Sequence, residues 1–493
     1  MRIAGATTAP GPAKVAAMMP ITQSDPADLA RVLTLQKTAF RSDPVPSLAT
    51  RRDRLDRLCR LVTTHAAHFA KAISADFGHR ARQETELAEV LAVVSAARHA
   101  KRHLPAWIKP RRLPTALVFR PARNELVRQP LGVVGVIAPW NYPLQLALGP
   151  AVSALAAGNR VMIKPSDLTP RFAAVLQELA SRLFAEDELA VFPGDVQVAK
   201  AFADLPFDHL LFTGSAAVGR EVARAAARNL TPVTLELGGK SPAIIDASAD
   251  FTRAARRLAF GKLLNAGQTC VAPDYVLVPA GYEDYLVTAL KRAISRLYPT
   301  IGGNPDFTAI IDERHYDRLR ALLADAQAKG AILIEVNPGR ETLDPEQRKM
   351  FPTLVLGATG DMAVMQEEIF GPILPILPYD SLDEVIDSLG LCDRPLALYW
   401  FGKDPVNRQR IVTGTMSGGV AINDCVWQVG QDFAPFGGVG ASGQGAYHGE
   451  FGFCTFSKEK PIFHQSRFNG LGRLTPPFGP VFSLTTALLR RIL

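Results

Sequence analysis

The amino-acid sequence predicts an α/β protein with three parts: a Rossmann-like parallel-sheet domain, a second α/β domain and a small β arm. Three observations carry that reading. Between residues 131 and 237 short apolar, β-branched runs alternate with helical ones, the rhythm of successive βαβ units. A second alternating region follows from Pro242 to about Asn423. The 493 residues also exceed the roughly 250–300 at which a single core stops growing, so more than one lobe is needed.

Taken in order, residues 1–25 are rich in Ala, Pro, Gly and Thr and lack a charged-then-apolar leader pattern, which predicts a flexible tail. From 26 to 104 the pattern is helical, with Leu55, Leu58, Leu61, Val62, Phe69 and Ile73 spaced as one buried helix face. Lys109-Pro110-Arg111-Arg112-Leu113-Pro114 breaks the helix, and 116–127 alternates as an extended arm. Strands are expected over 133–138, 160–163, 190–192, 209–212 and 233–237, and the crevice at their carboxyl ends suits a dinucleotide. The second region opens with a strand over 242–245 and a helix over 251–264, and carries a further strand over 373–377. A glycine-rich return over 436–445 leads to a tail whose last residues, 485–493, are weakly amphipathic and too short to make a stable membrane anchor. The chain divides accordingly into the tail (1–25), a first domain of 26–108 and 129–237, a second of 238–435, and an arm with C-terminal tail made of 109–128 and 446–493.

Composition narrows the function. A hydrophobic content of 47% against 21% charged residues is the balance of a folded globular chain rather than a disordered or fibrous one. The net charge of +8 raises nucleic acid as a partner, yet the basic residues are interleaved with acids along amphipathic segments such as 51–60, so a solvated surface is the better reading and no nucleic acid is expected. Five cysteines, odd in number and without any Cys-x-x-Cys spacing, argue against a disulfide framework or a metal site and fit a reducing cytoplasm.

The chemistry-bearing residues fall in a few blocks. Gly438-Val439-Gly440-Ala441-Ser442-Gly443 matches a dinucleotide fingerprint, but no strand ends before it and no helix opens after it, so a backbone-packing role is expected. The run from Phe212 to Gly219, with Gly214 and Ser215 at the turn, does follow a strand and open a helix, where free N–H groups and the helix dipole attract a phosphate. Taken alone, a Gly-Ser start is ordinary capping. Lys164-Pro165-Ser166-Asp167 ends the second strand of the same sheet, where Lys164 and Asp167 can both reach a ribose. Asn141, within Pro139-Trp140-Asn141-Tyr142-Pro143, reads either as a turn residue or as an amide donor to an oxygen that becomes negative during reaction.

Two blocks stand at the centre. Leu235-Glu236-Leu237-Gly238-Gly239-Lys240 supplies a carboxylate in an apolar run, where burial raises its pKa toward that of a useful base. Asn265 to Tyr275 supplies the thiol of Cys270, and the two lie too far apart to share a helix but suit a strand, a turn and a covering helix that bring their ends together. An isolated cysteine in apolar company is ordinarily structural. Tyr142, Trp427 and Phe433 are expected as aromatic walls of a substrate tunnel, against core packing as the alternative.

These blocks, in this order over roughly residues 30 to 460, resemble the aldehyde dehydrogenase superfamily, and Gly267-Gln268-Thr269-Cys270-Val271-Ala272-Pro273-Asp274-Tyr275 looks most like its class 3 branch, including coniferyl-aldehyde-type bacterial enzymes. The resemblance implies an NAD or NADP cofactor, Cys270 as nucleophile, Glu236 as base, and Asn141 with the Cys270 amide as oxyanion donors. It further implies that Lys164 holds cofactor ribose hydroxyls, that Glu368 holds the nicotinamide ribose, that Phe370 flanks the nicotinamide ring, and that the arm forms a homodimer. Where the family commonly has Glu, this sequence has Asp167, which leaves more room beside the ribose 2′ position and predicts that NADP is tolerated. The implied reaction is aldehyde oxidation to the acid, on aromatic or medium-to-long aliphatic substrates. A coenzyme A-acylating enzyme and a non-catalytic protein on the same fold are the alternatives.

Overall fold

The computed structural model describes residues 23–492. Residues 1–22 of the expected N-terminal tail lie outside the described residues. The end of that tail is not loose: Gln23 Nε2 donates to Asp195 Oδ2 at 2.7 Å, the Ser24 amide donates to the Pro193 carbonyl at 3.0 Å, and Asp25 caps the helix Pro26–Ser42. An N-cap carboxylate has to be held where the first free N–H groups point, and this orders the residues just before it.

Two parallel sheets, each covered on both faces, make up the body. In the first the strand order is Gly443–Gln444, Val233–Glu236, His209–Thr213, Val133–Ile137, Arg160–Lys164 and Leu189–Val191, all parallel except the short first strand. Three of these strands are buried along their whole length, as expected of strands packed by helices on both faces. One face meets the helices Leu48–Phe77, Leu91–Trp107 and Pro143–Ala157, and the other meets Pro26–Ser42 and Ala216–Ala227. In the second sheet the order is Ile332–Glu335, Thr353–Leu356, Ile373–Tyr379, Tyr275–Pro279, Pro242–Ile245, Ala397–Phe401 and Gly419–Ile422, again parallel but for the first. The helix Phe251–Leu263 covers this sheet between Pro242–Ile245 and Tyr275–Pro279, so the crossover connects Glu236 to Cys270 as a strand, a turn and a helix.

The arm departs in detail from the alternation read over 116–127. A strand already stands at Arg111–Leu113, a short 3-10 turn occupies Leu117–Phe119, and the long strand is Arg123–Pro130, paired antiparallel with Ser457–His464. Pro114 and Pro121 supply no backbone donor, so the ladder is interrupted between them. Before that pairing begins, the helix Gly449–Thr455 packs on Pro143–Ala157 and Leu91–Trp107, placing the start of the 446–493 segment on the first lobe. The chain ends in the helix Pro480–Ile492, and among the described residues no helix is long and apolar enough to cross a membrane.

Candidate active site

Cys270 sits in a loop whose backbone is forced into an uncommon shape. Asn265 and Ala266 adopt φ of 53° and 52°, the left-handed region that costs a non-glycine residue roughly 1 kcal/mol or more. Side chains hold it there: Asn265 Nδ2 donates to the carbonyls of Asn141 (3.0 Å) and Gln268 (3.1 Å), and Gln268 Nε2 donates to those of Asn265 (2.9 Å) and Ala309 (3.0 Å). All four residues are buried. Asn265 and Gln268 went without a role in the sequence reading, since nothing in the motif says which amides brace the loop and which face a ligand.

Asn141 lies against the same loop. Its Nδ2 donates to the Gln268 carbonyl at 3.1 Å, which fixes the amide plane and leaves its second N–H for another acceptor. Arg80 donates to the Asn141 carbonyl at 3.1 Å and to Glu89 Oε1 at 2.7 Å, while Glu89 accepts from the amides of Leu144 (2.6 Å) and Gln145 (3.2 Å) at a helix N-terminus. The turn is thus pinned from both sides.

The thiol is partly exposed, at the wall of an apolar cavity, and hard to ionise. Burial pushes the Cys270 pKa up to about 12, with the nearby charges of Glu368 and Glu236 adding to the rise; the amides of Cys270 and Val271 act the other way by donating toward the sulfur. Glu236 ends the strand Val233–Glu236, is 2% exposed, and neither of its oxygens finds a hydrogen-bond partner among the described residues. Burial alone raises its pKa well above the ordinary carboxylate range, which makes it a stronger base than an exposed carboxylate.

On one side of Cys270 opens an apolar cavity lined by Tyr142, Leu146, Phe260, Val426, Trp427 and Tyr447, among others. Tyr142 is tied at its hydroxyl to Thr269 Oγ1 (2.6 Å) and lies under the Arg80 guanidinium at 4.9 Å. Trp427 stacks on Phe260, ring centroids 5.5 Å apart. Phe433 is the exception to the expected tunnel: it is 78% exposed, packs edge-on against His99 and His103, and does not line the cavity. The irregular loop around it turns Phe433 outward and carries Phe436 to the wall instead.

A second opening runs past Ser215, Ala216, Gly238, Gly239, Lys240 and Glu368. Its walls combine the backbone of Gly238 and Gly239 with side chains such as Tyr275, Leu277, Met365 and Leu377. A Cβ on Gly238 would come within 2.1 Å of Glu368 Oε2, and one on Gly219 within 2.8 Å of Leu237 Cδ2, so a side chain at either position would displace a neighbouring one. Gly214 is equally tight, with Phe212 Cζ 2.6 Å from where its Cβ would stand. Ser215 caps the helix Ala216–Ala227, accepting from the Val218 amide at 3.4 Å. Glu368 accepts from the Gly239 amide, and burial together with the Asp274 charge raises its pKa to about 8. Its loop is anchored by Lys240, which donates to the Asp274 carboxylate and to the carbonyls of Val364 (2.8 Å) and Glu367 (2.9 Å), and by Asp274 Oδ1, which accepts the Ile369 amide at 2.9 Å. Phe370 follows with φ of 53° and meets Trp140 edge-on at 5.4 Å.

Lys164 ends its strand 2% exposed, donating to the carbonyls of Pro165 (2.6 Å) and Gly194 (2.7 Å); burial lowers its pKa to about 8, partly offset by Asp167 and Asp195. Asp167 itself is exposed. The sequence Gly438 to Gly443 holds backbone against backbone: a Cβ on Gly443 would meet the Leu235 carbonyl at 2.4 Å, and Gly443 pairs with Glu236.

A braced thiol, an unpaired buried carboxyl and a backbone-lined groove are the parts of a cysteine-dependent oxidoreductase acting on a carbonyl. Residues 6–462 match the aldehyde dehydrogenase family, and the chain belongs to that family of aldehyde-oxidising enzymes. It is 48% identical to a probable coniferyl aldehyde dehydrogenase of Pseudomonas aeruginosa over 458 residues, covering 93% of this chain and 95% of that protein. Among solved structures it is similar to the substrate-bound state of Staphylococcus aureus AldH (TM-score 0.87, 38% identity, 94% of this chain and 99% of that one). It is also similar to the NAD+ complex of an aldehyde dehydrogenase from Bacillus cereus (TM-score 0.80, 26% identity, 90% of each chain).

Proposed function

We propose that the protein oxidises an aromatic aldehyde of the coniferyl type, or a medium-to-long aliphatic one, to the free carboxylic acid with NAD+ or NADP+ as hydride acceptor. The observation that carries this reading is the position of Cys270 at the end of an apolar cavity, with the unpartnered Glu236 carboxyl close enough for its charge to act on the thiol. The aromatic wall of Phe260 and Trp427 favours a flat substrate.

In this reading the Cys270 thiol gives its proton by way of Glu236 to solvent as the sulfur adds to the aldehyde carbon, and the oxygen that becomes negative is held by the free N–H of Asn141 and the Cys270 amide. When bound, the nicotinamide cofactor takes the hydride. The chain's part is then to hold a thioester on Cys270 and, through Glu236, to take a proton from the water that cleaves it. The groove fits the cofactor: Glu368 lies across Gly238 where a side chain would not fit, and Gly214 and Ser215 open a helix N-terminus beside it. Gly219 supports the groove from the helix side, Lys164 and Asp167 would meet the ribose, and Phe370 the nicotinamide ring. Exposure of the shorter Asp167 supports use of NADP beside NAD.

The domain division read from the sequence is retained as part of the proposal, with the arm as the contact of a homodimer. Leu117, Phe119 and Phe463 stand exposed on it, as an edge awaiting a second copy would. Five free cysteines support a cytoplasmic location. Turnover of a panel of aldehydes with each cofactor, in the presence and absence of coenzyme A, tests the function: aromatic aldehydes should lead, acid should form without coenzyme A consumption, and a KM for NADP+ thousands of times that for NAD+ would overturn the dual use.

A further inference from the structure

Tyr447 had no place in the motifs, and its surroundings are unusual for a core tyrosine. It is 1% exposed, yet its hydroxyl makes no hydrogen bond among the described residues; the Gln145 side chain is near enough to influence its acidity without meeting hydrogen-bonding geometry. The ring is held edge-on by Phe436 at 6.0 Å and His448 at 4.5 Å, and the backbone is fixed by paired bonds with Phe436 at 2.8 and 2.9 Å. An orphaned polar atom on a side chain so firmly placed calls for an occupant.

Its neighbours say which. Tyr447 lines the same cavity as Cys270. The segment leading to it is registered on the strand of the proposed base, with Gly443 opposite Glu236 and Gln444 opposite Leu235. Glu236 has two orphaned oxygens of its own. Burial, and after it the charges of Glu236 and Cys270, push the Tyr447 pKa up, so the hydroxyl keeps its proton. A buried water needs two to four polar partners. One O–H donor and one carboxyl acceptor on either side of a point near the sulfur would hold such a water and leave its remaining lone pair directed at an acyl carbon on Cys270.

We propose that the Tyr447 hydroxyl is a positioning group for hydrolysis: it donates to the water whose proton Glu236 takes, and so aims that water at the Cys270 thioester. The water oxygen bonds to the acyl carbon as one water proton moves to the Glu236 carboxylate, the carbon–sulfur bond breaks, the proton passes from Glu236 to the departing Cys270 sulfur, and the carboxylic acid leaves. This rests on the proposed role of Glu236 in thioester cleavage, and the experiment separates the two.

The test is Tyr447→Phe in the full-length enzyme, followed by rapid mixing of aldehyde with NAD+. The expected result is an NADH burst of about one per active site at the wild-type rate, then a steady rate lower by about tenfold or more. Hydroxylamine, which attacks a thioester without needing an aimed water, should restore turnover in the variant. Because Phe keeps the ring and removes only an unpaired oxygen, the melting temperature should hold or rise, a result that separates a water anchor from a structural hydroxyl. Steady turnover equal to wild type, or a slowed burst with no accumulated acyl-enzyme, would overturn the assignment of Tyr447. If Glu236→Gln also turns over normally, the underlying reading of Glu236 fails with it; if Glu236→Gln alone accumulates acyl-enzyme, only the Tyr447 proposal falls.

Discussion

On the cavity side of Cys270 the wall is made of side chains, with Leu146, Phe260, Val426 and Trp427 standing where a substrate would lie, whereas the groove mixes side chains such as Leu277 and Met365 with glycine backbone, Gly238 lying against Glu368 and Gly239 against Pro395, and Ser215 opens a helix beside them. The two surfaces tolerate change differently. An apolar wall can be trimmed and repacked with graded loss, because apolar contact is non-directional. Glycine positions are less forgiving: a single methyl at Gly238 must move the Glu368 carboxylate, and one at Gly239, where φ is 142°, would stand 3.3 Å from Pro395 Cα.

The largest expected effect lies where the two surfaces meet. Cys270→Ala should reduce aldehyde oxidation to background while leaving nicotinamide binding intact, as judged by calorimetric titration with NAD+; oxidation near the wild-type rate would remove the distinction altogether. Asn141→Ala comes next. Losing one oxyanion donor costs about 3–4 kcal/mol, so kcat should fall some 10²–10³-fold with both KM values little changed. Rates that fall less than tenfold would leave the Cys270 amide as the sole donor.

The thiol itself offers a measure of how dry the junction is. With its pKa pushed up to about 12 by burial first and by the Glu368 and Glu236 charges after it, the thiolate is the minor form at neutral pH. Alkylation of Cys270 in the cofactor-free enzyme, followed on its own peptide by mass spectrometry, should accelerate about tenfold per pH unit from pH 7 to 10. A plateau below pH 9 would mean that the site is wetter than its walls suggest.

Smaller effects separate the two surfaces. Gly238→Ala should raise KM for NAD+ by about tenfold or more and leave KM for the aldehyde unchanged, since the methyl meets Glu368 and nothing on the cavity wall. Trp427→Ala should do the reverse, shifting kcat/KM among bulky aromatic aldehydes by several-fold and sparing the cofactor; removing a packed aromatic face is worth about 0.5–1.5 kcal/mol beyond area. Phe433→Ala, on a side chain turned away from the cavity, should change neither. If Phe433→Ala altered aldehyde selectivity as Trp427→Ala does, the cavity would extend farther than its present walls.

Much of this was legible before any coordinates. Alternation of apolar runs with helical ones located the strands Val133–Ile137, Pro242–Ile245 and Ile373–Tyr379 to within a residue or two, because a strand buried on both faces must be apolar throughout. The resemblance drew Cys270, Glu236 and Asn141 together as candidates, and the structure sets Cys270 on the cavity wall, Asn141 against the same loop and Glu236 buried at a strand end. What depended on the folded chain was direction. Phe433 and Phe436 lie three positions apart in an irregular loop with no period to assign their faces, and only packing against His99 and against Tyr447 turns one outward and the other in. The orphaned state of Glu236 and Tyr447 is likewise a property of no local stretch. It arises because the antiparallel strand Gly443–Gln444 returns from far along the chain to lie beside Val233–Glu236, bringing the two segments together with no hydrogen-bond partner for either polar group among the described residues, a long-range pairing that neither segment encodes by itself.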